Sequence, residues 1–230
     1  MIIIESVRKI YKTKGETVEA LRGVSLKIES GEFIAIAGPS GSGKSTLLNL
    51  LGGLDQPNSG KILIESQDIT VLSDSELCGL RLKKIGFIFQ AFNLIPVLTV
   101  LENVEYVMLL QGVSSNIRRE KCASILAEVG LRDHLHRLPA ELSGGQQQRV
   151  AVARAIVAEP TLVLADEPTA NLDSRTAGDL LDLMAALNEK RKVTFVFSSH
   201  DPQVLSRARR VVNLHDGQVV GSCSPIGCEA

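Results

Sequence analysis

The 230-residue chain has no tryptophan, only two tyrosines and no apolar stretch long enough to cross a bilayer. A membrane-spanning helix needs about 20 predominantly apolar residues, whereas the longest unbroken apolar run here covers residues 33–38. Residues 1–4 are apolar, but Glu5, Arg8 and Lys9 follow at once, which is not the pattern of a secretory signal. We therefore expect the chain to stay in the cytosol or to be held at a membrane by a partner.

A surplus of either charge is missing as well. Lysine and arginine together number 25, and aspartate and glutamate 26, so the formal net charge is −1. Nucleic acids and anionic lipids select basic surfaces, and the net charge therefore gives no argument for either partner. The four cysteines lack the C-x-x-C spacing and the nearby histidine pairs of a zinc site. Hydrophobic residues make up 44% of the chain and charged residues 22%, which is typical of a folded globular domain.

The pattern of apolar residues divides the chain into three regions. Short β-rich runs predict strands before about residue 90, and residues 33–37 are apolar throughout, as in a strand buried on both faces of a parallel sheet. Between about residues 91 and 158, apolar residues such as Cys122, Leu126 and Val129 recur at helical spacing. Strands and helices alternate again from about residue 159 to residue 220, which predicts a largely parallel α/β sheet.

A glycine-rich loop follows the apolar strand and matches the phosphate-loop pattern G-x-x-x-x-G-K-[ST]. Its glycines allow backbone N–H groups to point at phosphate oxygens, and the N-terminus of the next helix adds partial positive charge. Lys44 would supply a cation for the β- and γ-phosphates, and the Ser45 hydroxyl a ligand for Mg²⁺. The predicted nucleotide contacts of the loop are Gly38, Pro39, Ser40, Gly41, Ser42, Gly43, Lys44, Ser45 and Thr46.

Two further segments carry chemistry that complements a phosphate loop. Asp166 and Glu167 end an apolar strand, where the first carboxylate can hold the Mg²⁺ shell and the second can orient and deprotonate an attacking water. Ser143 is expected to cap a second helix, in which Gly144 and Gly145 expose backbone N–H groups to an anion. An acidic turn and a plain capped helix would also explain these residues, but the neighbouring phosphate loop favours the functional interpretation. It stays open whether the second helix end serves the same nucleotide or that of another copy.

Together these motifs resemble the nucleotide-binding subunit of an ABC transporter. The phosphate loop, Gln90, the signature Leu142-Ser143-Gly144-Gly145-Gln146, the strand with Asp166-Glu167, the loop ending at Asp173, and His200 occur in the order of that family. The resemblance implies an α/β fold: a P-loop NTPase core with a mainly parallel sheet, an N-terminal antiparallel β-subdomain and an inserted α-helical subdomain that carries the signature. The single domain over residues 1–230 would consist of a core (about 1–90 and 159–220), the helical subdomain (about 91–158) and a tail (221–230).

The resemblance further implies that two such domains pack head to tail around ATP. Each nucleotide would lie between the phosphate loop of one copy and the signature of the other, so that Ser143, Gly144, Gly145 and Gln146 contact the γ-phosphate. ATP binding would close the dimer and hydrolysis would reopen it. Asp173 would link the two active sites.

The same resemblance assigns roles in ATP hydrolysis. Glu167 would be the general base, His200 would hydrogen-bond the γ-phosphate, and Tyr11 would stack on adenine. Gln90 would bind Mg²⁺ together with Ser45 and Asp166, and would sense the membrane partner. The other histidines, His134, His136 and His215, match no motif and are expected at the surface. ATP and GTP both stay open, because stacking on a tyrosine tolerates either base.

Residues 92–104 and residues 165–169 are similar to a subfamily that drives lipoprotein release and macrolide or peptide export. Apolar residues near Gln90 would form a groove for a short cytoplasmic helix of a transmembrane permease subunit. The chain would then be a peripheral ATPase on the cytoplasmic side of the membrane, acting as a homodimer without a nucleic-acid partner. A soluble ATPase of the same superfamily and a nucleotide-gated scaffold with secondary turnover stay as alternatives.

Overall fold

The computed structural model describes residues 1–13 and 15–223, which form two β-sheets surrounded by helices. The strands of the described chain are β1 (Ile2–Thr13), β2 (Glu16–Ile28), β3 (Phe33–Ala37), β4 (Ser59–Ile64), β5 (Gln67–Asp68), β6 (Ile85–Ile88), β7 (Leu162–Asp166), β8 (Thr194–Ser199), β9 (Arg210–His215) and β10 (Gln218–Cys223). Its helices are α1 (Lys44–Leu51), α2 (Asp74–Lys84), α3 (Val100–Leu110), α4 (Ser115–Glu128), α5 (Gly144–Ile156), α6 (Ser174–Arg191) and α7 (Pro202–Leu205). The expected tail lies outside the described residues, except that residues 221–223 belong to β10.

The larger sheet has the strand order β10-β9-β3-β8-β7-β6. Strands β9, β3, β8, β7 and β6 are parallel, and β10 joins them through an antiparallel hairpin that turns at Asp216-Gly217. Parallel strands place their carboxyl ends at one edge of a sheet, where ligands of α/β proteins bind. The phosphate loop, Gln90, Asp166 and Ser199 each stand at or just beyond such an end.

Strand β3 is buried on both faces, as its unbroken apolar run predicts. Phe33 and Ala35 belong to a core that includes residues of α3 to α6, whereas Ile34 and Ile36 belong to a second core that includes α1 and the smaller sheet. Successive side chains of a strand point to opposite faces. The two cores therefore hold β3, and the loop that follows it, from both sides.

The smaller sheet is antiparallel, with the order β2-β1-β4-β5. Its first two strands are much longer than the apolar runs at residues 2–4 and 24–28 that indicate them. In the outer part of this hairpin polar side chains are exposed, and Arg8 pairs with Glu19 across the strands at 3.2 Å. The strands are extended there by backbone pairing and not by buried apolar side chains. A pattern of apolar residues therefore does not predict this extension.

Helix α2 is absent from the interpretation of the sequence, which expects strands and turns before residue 90. The helix begins at a capping box, in which the Ser73 side chain accepts from the Glu76 amide and the Glu76 carboxylate accepts from the Ser73 amide. The S-x-x-E spacing was therefore a signal for this helix. None of the described helices combines the length and the apolarity that a bilayer crossing requires.

Gly86 provides a test of how closely β6 packs on α5. A Cβ at this position would lie 2.2 Å from the carbonyl oxygen of Ala155. Gly86→Ala should therefore lower the free energy of unfolding by about 1–3 kcal/mol or more, as measured by urea denaturation. Gly79→Ala in α2 is the matched control: a Cβ there meets no atom within 4 Å, and alanine should raise stability by about 0.5–1 kcal/mol. A Gly86→Ala protein as stable as the parent would contradict the packing described here.

Candidate active site

A cleft of about 520 Å³ opens at the carboxyl ends of the parallel strands. Phosphate-loop residues form its floor, and Gln90, Glu167 and His200 also line it. The opposite wall comes from β2, near Val18, and from the Asp216-Gly217 turn. Residues far apart in sequence thus meet at one concave site.

The phosphate loop leads directly into α1, as predicted. Gly43 adopts a left-handed backbone with φ +103°, and a Cβ there would lie 2.6 Å from the carbonyl oxygen of Ala20, so only glycine fits. Helix α1 has no side-chain N-cap bond and no acidic residue in its first turn. The positive end of its dipole is therefore available to an anion.

The Lys44 ammonium group lies inside the loop. Its side chain is only 7% exposed, and Nζ donates hydrogen bonds to the carbonyls of Gly38 at 2.7 Å and Pro39 at 3.0 Å. An anion that enters the loop would compete with these carbonyls for a cation already held in position.

Asp166 is joined to the phosphate loop by a hydroxyl. Ser45 Oγ donates to Asp166 Oδ1 at 3.0 Å, and Ser198 Oγ donates to the same oxygen at 2.6 Å. Ser198 also accepts a hydrogen bond from the Glu167 amide at 2.9 Å. This fully buried serine orients both carboxylate residues, and the sequence interpretation had assigned it no role.

Glu167 lines the cleft and has a left-handed backbone conformation, φ +45°. Its Oε1 lies 2.9 Å from His200 Nδ1 and 3.9 Å from Lys44 Nζ. Because a carboxylate oxygen can only accept, Nδ1 of His200 carries the proton. Backbone conformations of this kind are costly for residues other than glycine and are concentrated at functional sites.

The segment around Gln90 is tied to two other parts of the site. The Gln90 carbonyl accepts a hydrogen bond from Asn171 Nδ2 at 2.9 Å. Gln148 of α5, which is fully buried, donates to the Pro168 carbonyl at 2.7 Å and to the Phe89 carbonyl at 3.4 Å. Helix α5 thus contacts the segments that follow β6 and β7 through one amide.

Arg154, near the end of α5, holds the loop that follows Gln90. Its guanidinium donates to the carbonyls of Phe92 at 2.9 Å and Asn93 at 2.5 Å, and both of these residues have left-handed backbones. Burial lowers the pKa of the Arg154 guanidinium. The sequence interpretation missed both Gln148 and Arg154, because their partners lie 20 to 62 residues away along the chain.

The signature forms the capped N-terminus of α5, as predicted. Ser143 Oγ accepts from the Gln146 amide at 3.3 Å, and Gln146 Oε1 accepts from the Ser143 amide at 2.9 Å. Gly145 packs on α6: a Cβ there would lie 2.4 Å from the Thr176 methyl group. In the described part of the chain, the cleft is not lined by the signature residues of the same copy, which are Ser143, Gly144, Gly145 and Gln146.

His134 is less exposed than the other two histidines that match no motif. It is partly buried, and its Nε2 lies 2.9 Å from Nε2 of Gln146. Since Gln146 Oε1 already accepts from Ser143, its amide group donates to His134. His136 and His215 are exposed, as expected.

Asp173 and Tyr11 lie at the periphery of the site. Asp173 caps α6, and hydrogen bonds from the hydroxyl and amide of Thr176 hold the pKa of its carboxyl below the usual range. Tyr11 is paired across the strands with Val18, which lines the cleft. The Tyr11 ring therefore lies beside the cleft mouth.

Comparisons with known proteins decide which family these motifs represent. The model of a family described as ABC transporter matches residues 21–170, more than half of the chain. This chain belongs to the ABC transporter family. It is an ATP-binding cassette of that family, and an ATP hydrolase.

Several relatives in this family match almost the whole chain. An uncharacterized ABC transporter ATP-binding protein of Thermotoga maritima is 48% identical over 94% of this chain and 92% of its own length. The lipoprotein-releasing system ATP-binding protein LolD of Legionella pneumophila is 47% identical, with 94% and 97% covered. The macrolide export ATP-binding/permease protein MacB of Syntrophobacter fumaroxidans is 44% identical over 99% of this chain. The cassette spans only 32% of that MacB protein.

The fold is that of solved ABC cassettes. A dimeric, post-hydrolysis structure of the ATP-binding cassette MJ0796 bound to ADP and Pi matches with a TM-score of 0.90 and 43% identity, covering 99% of this chain and all of that one. The predicted P-loop NTPase core, antiparallel β-subdomain and helical elements are confirmed.

Proposed function

We propose that this cassette is the motor of a membrane transporter and that two copies, packed head to tail, clamp ATP between them. The observation that carries the proposal is the separation of two anion-binding helix ends. The N-terminus of α1 faces the cleft, whereas the signature at the N-terminus of α5 does not line it. The signature of a second copy would complete the shell around the triphosphate. The relative that was solved as a dimer bound to ADP and Pi supports the pairing of two copies.

The residues of the cleft fit a Mg²⁺ ion. Ser45 Oγ and Asp166 Oδ1 are 3.0 Å apart, and Gln90 lines the same cleft. These are hard oxygen donors of the kind that Mg²⁺ prefers. When bound, the ion would supply positive charge that neutralises the charge developing on the phosphates. We assign Ser45, Gln90 and Asp166 to this ligand set.

The groups around Glu167 support its role as general base. Its side chain is 17% exposed, so the carboxylate is shielded but reachable by a water in the cleft. His200 donates to one carboxylate oxygen, which fixes its orientation. The other ring nitrogen of His200, Nε2, is the one we assign to the γ-phosphate. Because phosphate oxygens only accept, this nitrogen must donate as well, so His200 would act there as the doubly protonated imidazolium. Lys44 would stabilise the charge of the same phosphate.

In the signature, the proposed anion donors are Ser143, Gly144 and Gly145. The Ser143 hydroxyl accepts from the Gln146 amide, which leaves its proton to donate to a γ-phosphate. The Gln146 side chain holds the Ser143 amide, so we assign it the role of shaping this helix end. Loss of the γ-phosphate on hydrolysis would remove these contacts and reopen the dimer. Asp173, in the same region, is proposed to couple the two sites.

A groove of about 390 Å³ provides a docking surface for the membrane partner. Its lining is mainly apolar and includes Leu82, Phe87, Phe89 and Val107, with Arg154 at the loop after Gln90. An apolar groove of this kind accepts an amphipathic helix. We propose that a short helix of a transmembrane permease binds there, which places the cassette at the cytoplasmic face of the membrane. The names of the relatives favour lipoproteins or macrolides as cargo.

Glu167→Gln tests the assignment of the base. The amide is nearly the same size but cannot take a proton, so ATP should still bind while hydrolysis falls by at least about a hundredfold. A stable dimer should then accumulate with ATP in size-exclusion chromatography. Full activity in this variant would remove Glu167 from the role of base.

Mixing two inactive variants tests whether the site is shared. Lys44→Ala removes the phosphate-loop cation, and Gly144→Asp sets a carboxylate against the γ-phosphate. A Cβ at Gly144 has no neighbour closer than 3.7 Å, so the substitution fits locally. Each variant alone should be inactive. In an equal mixture half of the dimers contain one intact composite site, and about a quarter of the wild-type activity should return. An inactive mixture of folded variants would contradict the shared site.

Cys78→Asp tests the groove. Cys78 is exposed on α2 at the groove, and a carboxylate there would face the apolar side of the docked helix. A membrane protein should copurify with the wild-type cassette from a detergent extract, and its recovery should fall about tenfold or more with Cys78→Asp. Val71→Asp, at a 78% exposed position outside the groove, should leave recovery unchanged. Equal recovery with all three proteins would contradict this docking surface.

A further inference from the structure

Three side chains form a connected cluster beside the mouth of the cleft. The Tyr11 hydroxyl donates to Asp55 Oδ2 at 2.8 Å, and Lys9 Nζ donates to Asp55 Oδ1 at 2.6 Å. Asp55 lies in the turn after α1, far from β1 in sequence. The cluster therefore ties the strand that carries Tyr11 to the end of the helix that follows the phosphate loop.

The Asp55 carboxylate is fully engaged and charged. Its Oδ1 also accepts from the Gln56 amide at 2.7 Å. Burial raises the pKa of the Asp55 carboxyl, but hydrogen bonds from Lys9, Tyr11 and the Gln56 amide outweigh burial and hold the pKa below its usual range. Because the group stays ionised at neutral pH, it is a strong acceptor for the tyrosine hydroxyl.

Tyr11 in turn keeps its proton. Burial and the hydrogen bond to Asp55 raise the pKa of the Tyr11 hydroxyl, although a hydrogen bond with Thr46 acts in the opposite direction. The Tyr11 hydroxyl therefore acts as the donor to the Asp55 carboxylate.

The two faces of the Tyr11 ring have different surroundings. Lys9 Nζ lies 4.9 Å from the ring centroid, a cation–π contact that covers one face. Val18 is the cross-strand neighbour of Tyr11, so both side chains project to the same side of the sheet. Tyr11 is 37% exposed and Val18 is 47% exposed. Together they offer an apolar platform next to the cleft.

We propose that Asp55 is a positioning residue for the nucleotide base: it fixes the Tyr11 ring, beside Val18, in the orientation in which a base stacks on it while the phosphates occupy the loop. The proposal rests on the proposed function and adds a residue to it. A ring that is already fixed loses less conformational entropy when a base binds, so the tether increases affinity. We expect Asp55 to affect binding of the base and not of the phosphates, because in the described part of the chain Asp55 does not line the phosphate cleft.

Calorimetric titration with ATP and with tripolyphosphate, which has no base, tests this role. Asp55→Ala removes the acceptor, and Tyr11→Phe keeps the ring but removes the donor. Each substitution should weaken ATP binding about fivefold. The double variant should bind ATP no more weakly than either single variant, because both substitutions remove the same Tyr11–Asp55 hydrogen bond. Tripolyphosphate should bind all variants like the wild type. Asp68→Ala is the matched control, since the Asp68 carboxylate bonds Thr70 in its own turn, and should bind ATP normally.

Three results would overturn the proposal. Wild-type affinity for ATP in the Tyr11→Phe variant would overturn the proposal, even if Asp55→Ala fails to fold. Additive losses in the double variant would show that the two residues act separately. An equal loss of tripolyphosphate affinity would show that Asp55 supports the whole loop and not the base. Failure of the wild-type cassette to bind ATP or tripolyphosphate would instead overturn the proposed function, and this proposal with it.

Discussion

The free, positively polarised N-terminus of α1 is the feature on which the whole site depends. It is held at the sheet edge because β3 is packed between two hydrophobic cores, so the loop after β3 has little freedom. The same edge carries Asp166 and the segment around Gln90, since β7 and β6 run parallel to β3. A phosphate bound at the N-terminus of α1 would therefore lie beside the residues that we propose act on it. Ser198 completes the arrangement by joining Asp166 to the Glu167 amide.

Helix α5 connects the parts of the cassette that have to act together. Its N-terminus is the signature, Gln148 bonds the backbone after β6 and after β7, and Arg154 holds the loop after Gln90 next to the apolar groove. Under the proposed function, a helix that docks in the groove would press on the element that presents Ser143 to the second copy. No further element is needed to couple the groove to the signature, because one rigid helix makes all three contacts.

The residues proposed to contact the nucleotide base differ in kind from those proposed to contact the phosphates. Under the proposed function, phosphates would be bound mainly by backbone N–H groups, a lysine and a helix dipole, which select negative charge without regard to the base. The base would contact Tyr11 and its cross-strand neighbour Val18. Behind the ring, Asp55 would hold Tyr11 in place through its hydrogen bonds with Tyr11 and Lys9. Stacking is tolerant of the base. Under the proposed function, the cleft would select a triphosphate by its charge and would distinguish bases only weakly.

The sequence alone predicted the family, the parallel core and the residues that we propose for the site, because the phosphate loop, the Asp166-Glu167 strand end and the capped signature each need particular residue types at fixed local spacing. Strand β3, α1 and the Ser143 cap were predicted for the same reason. What only the tertiary structure decided are the contacts between distant segments: Ser198 with Asp166, Arg154 with the loop at Phe92, His134 with Gln146, and Asp55 with Tyr11. Side-chain hydrogen bonds of this kind depend on the packing of whole elements, which leaves no periodic trace along the chain.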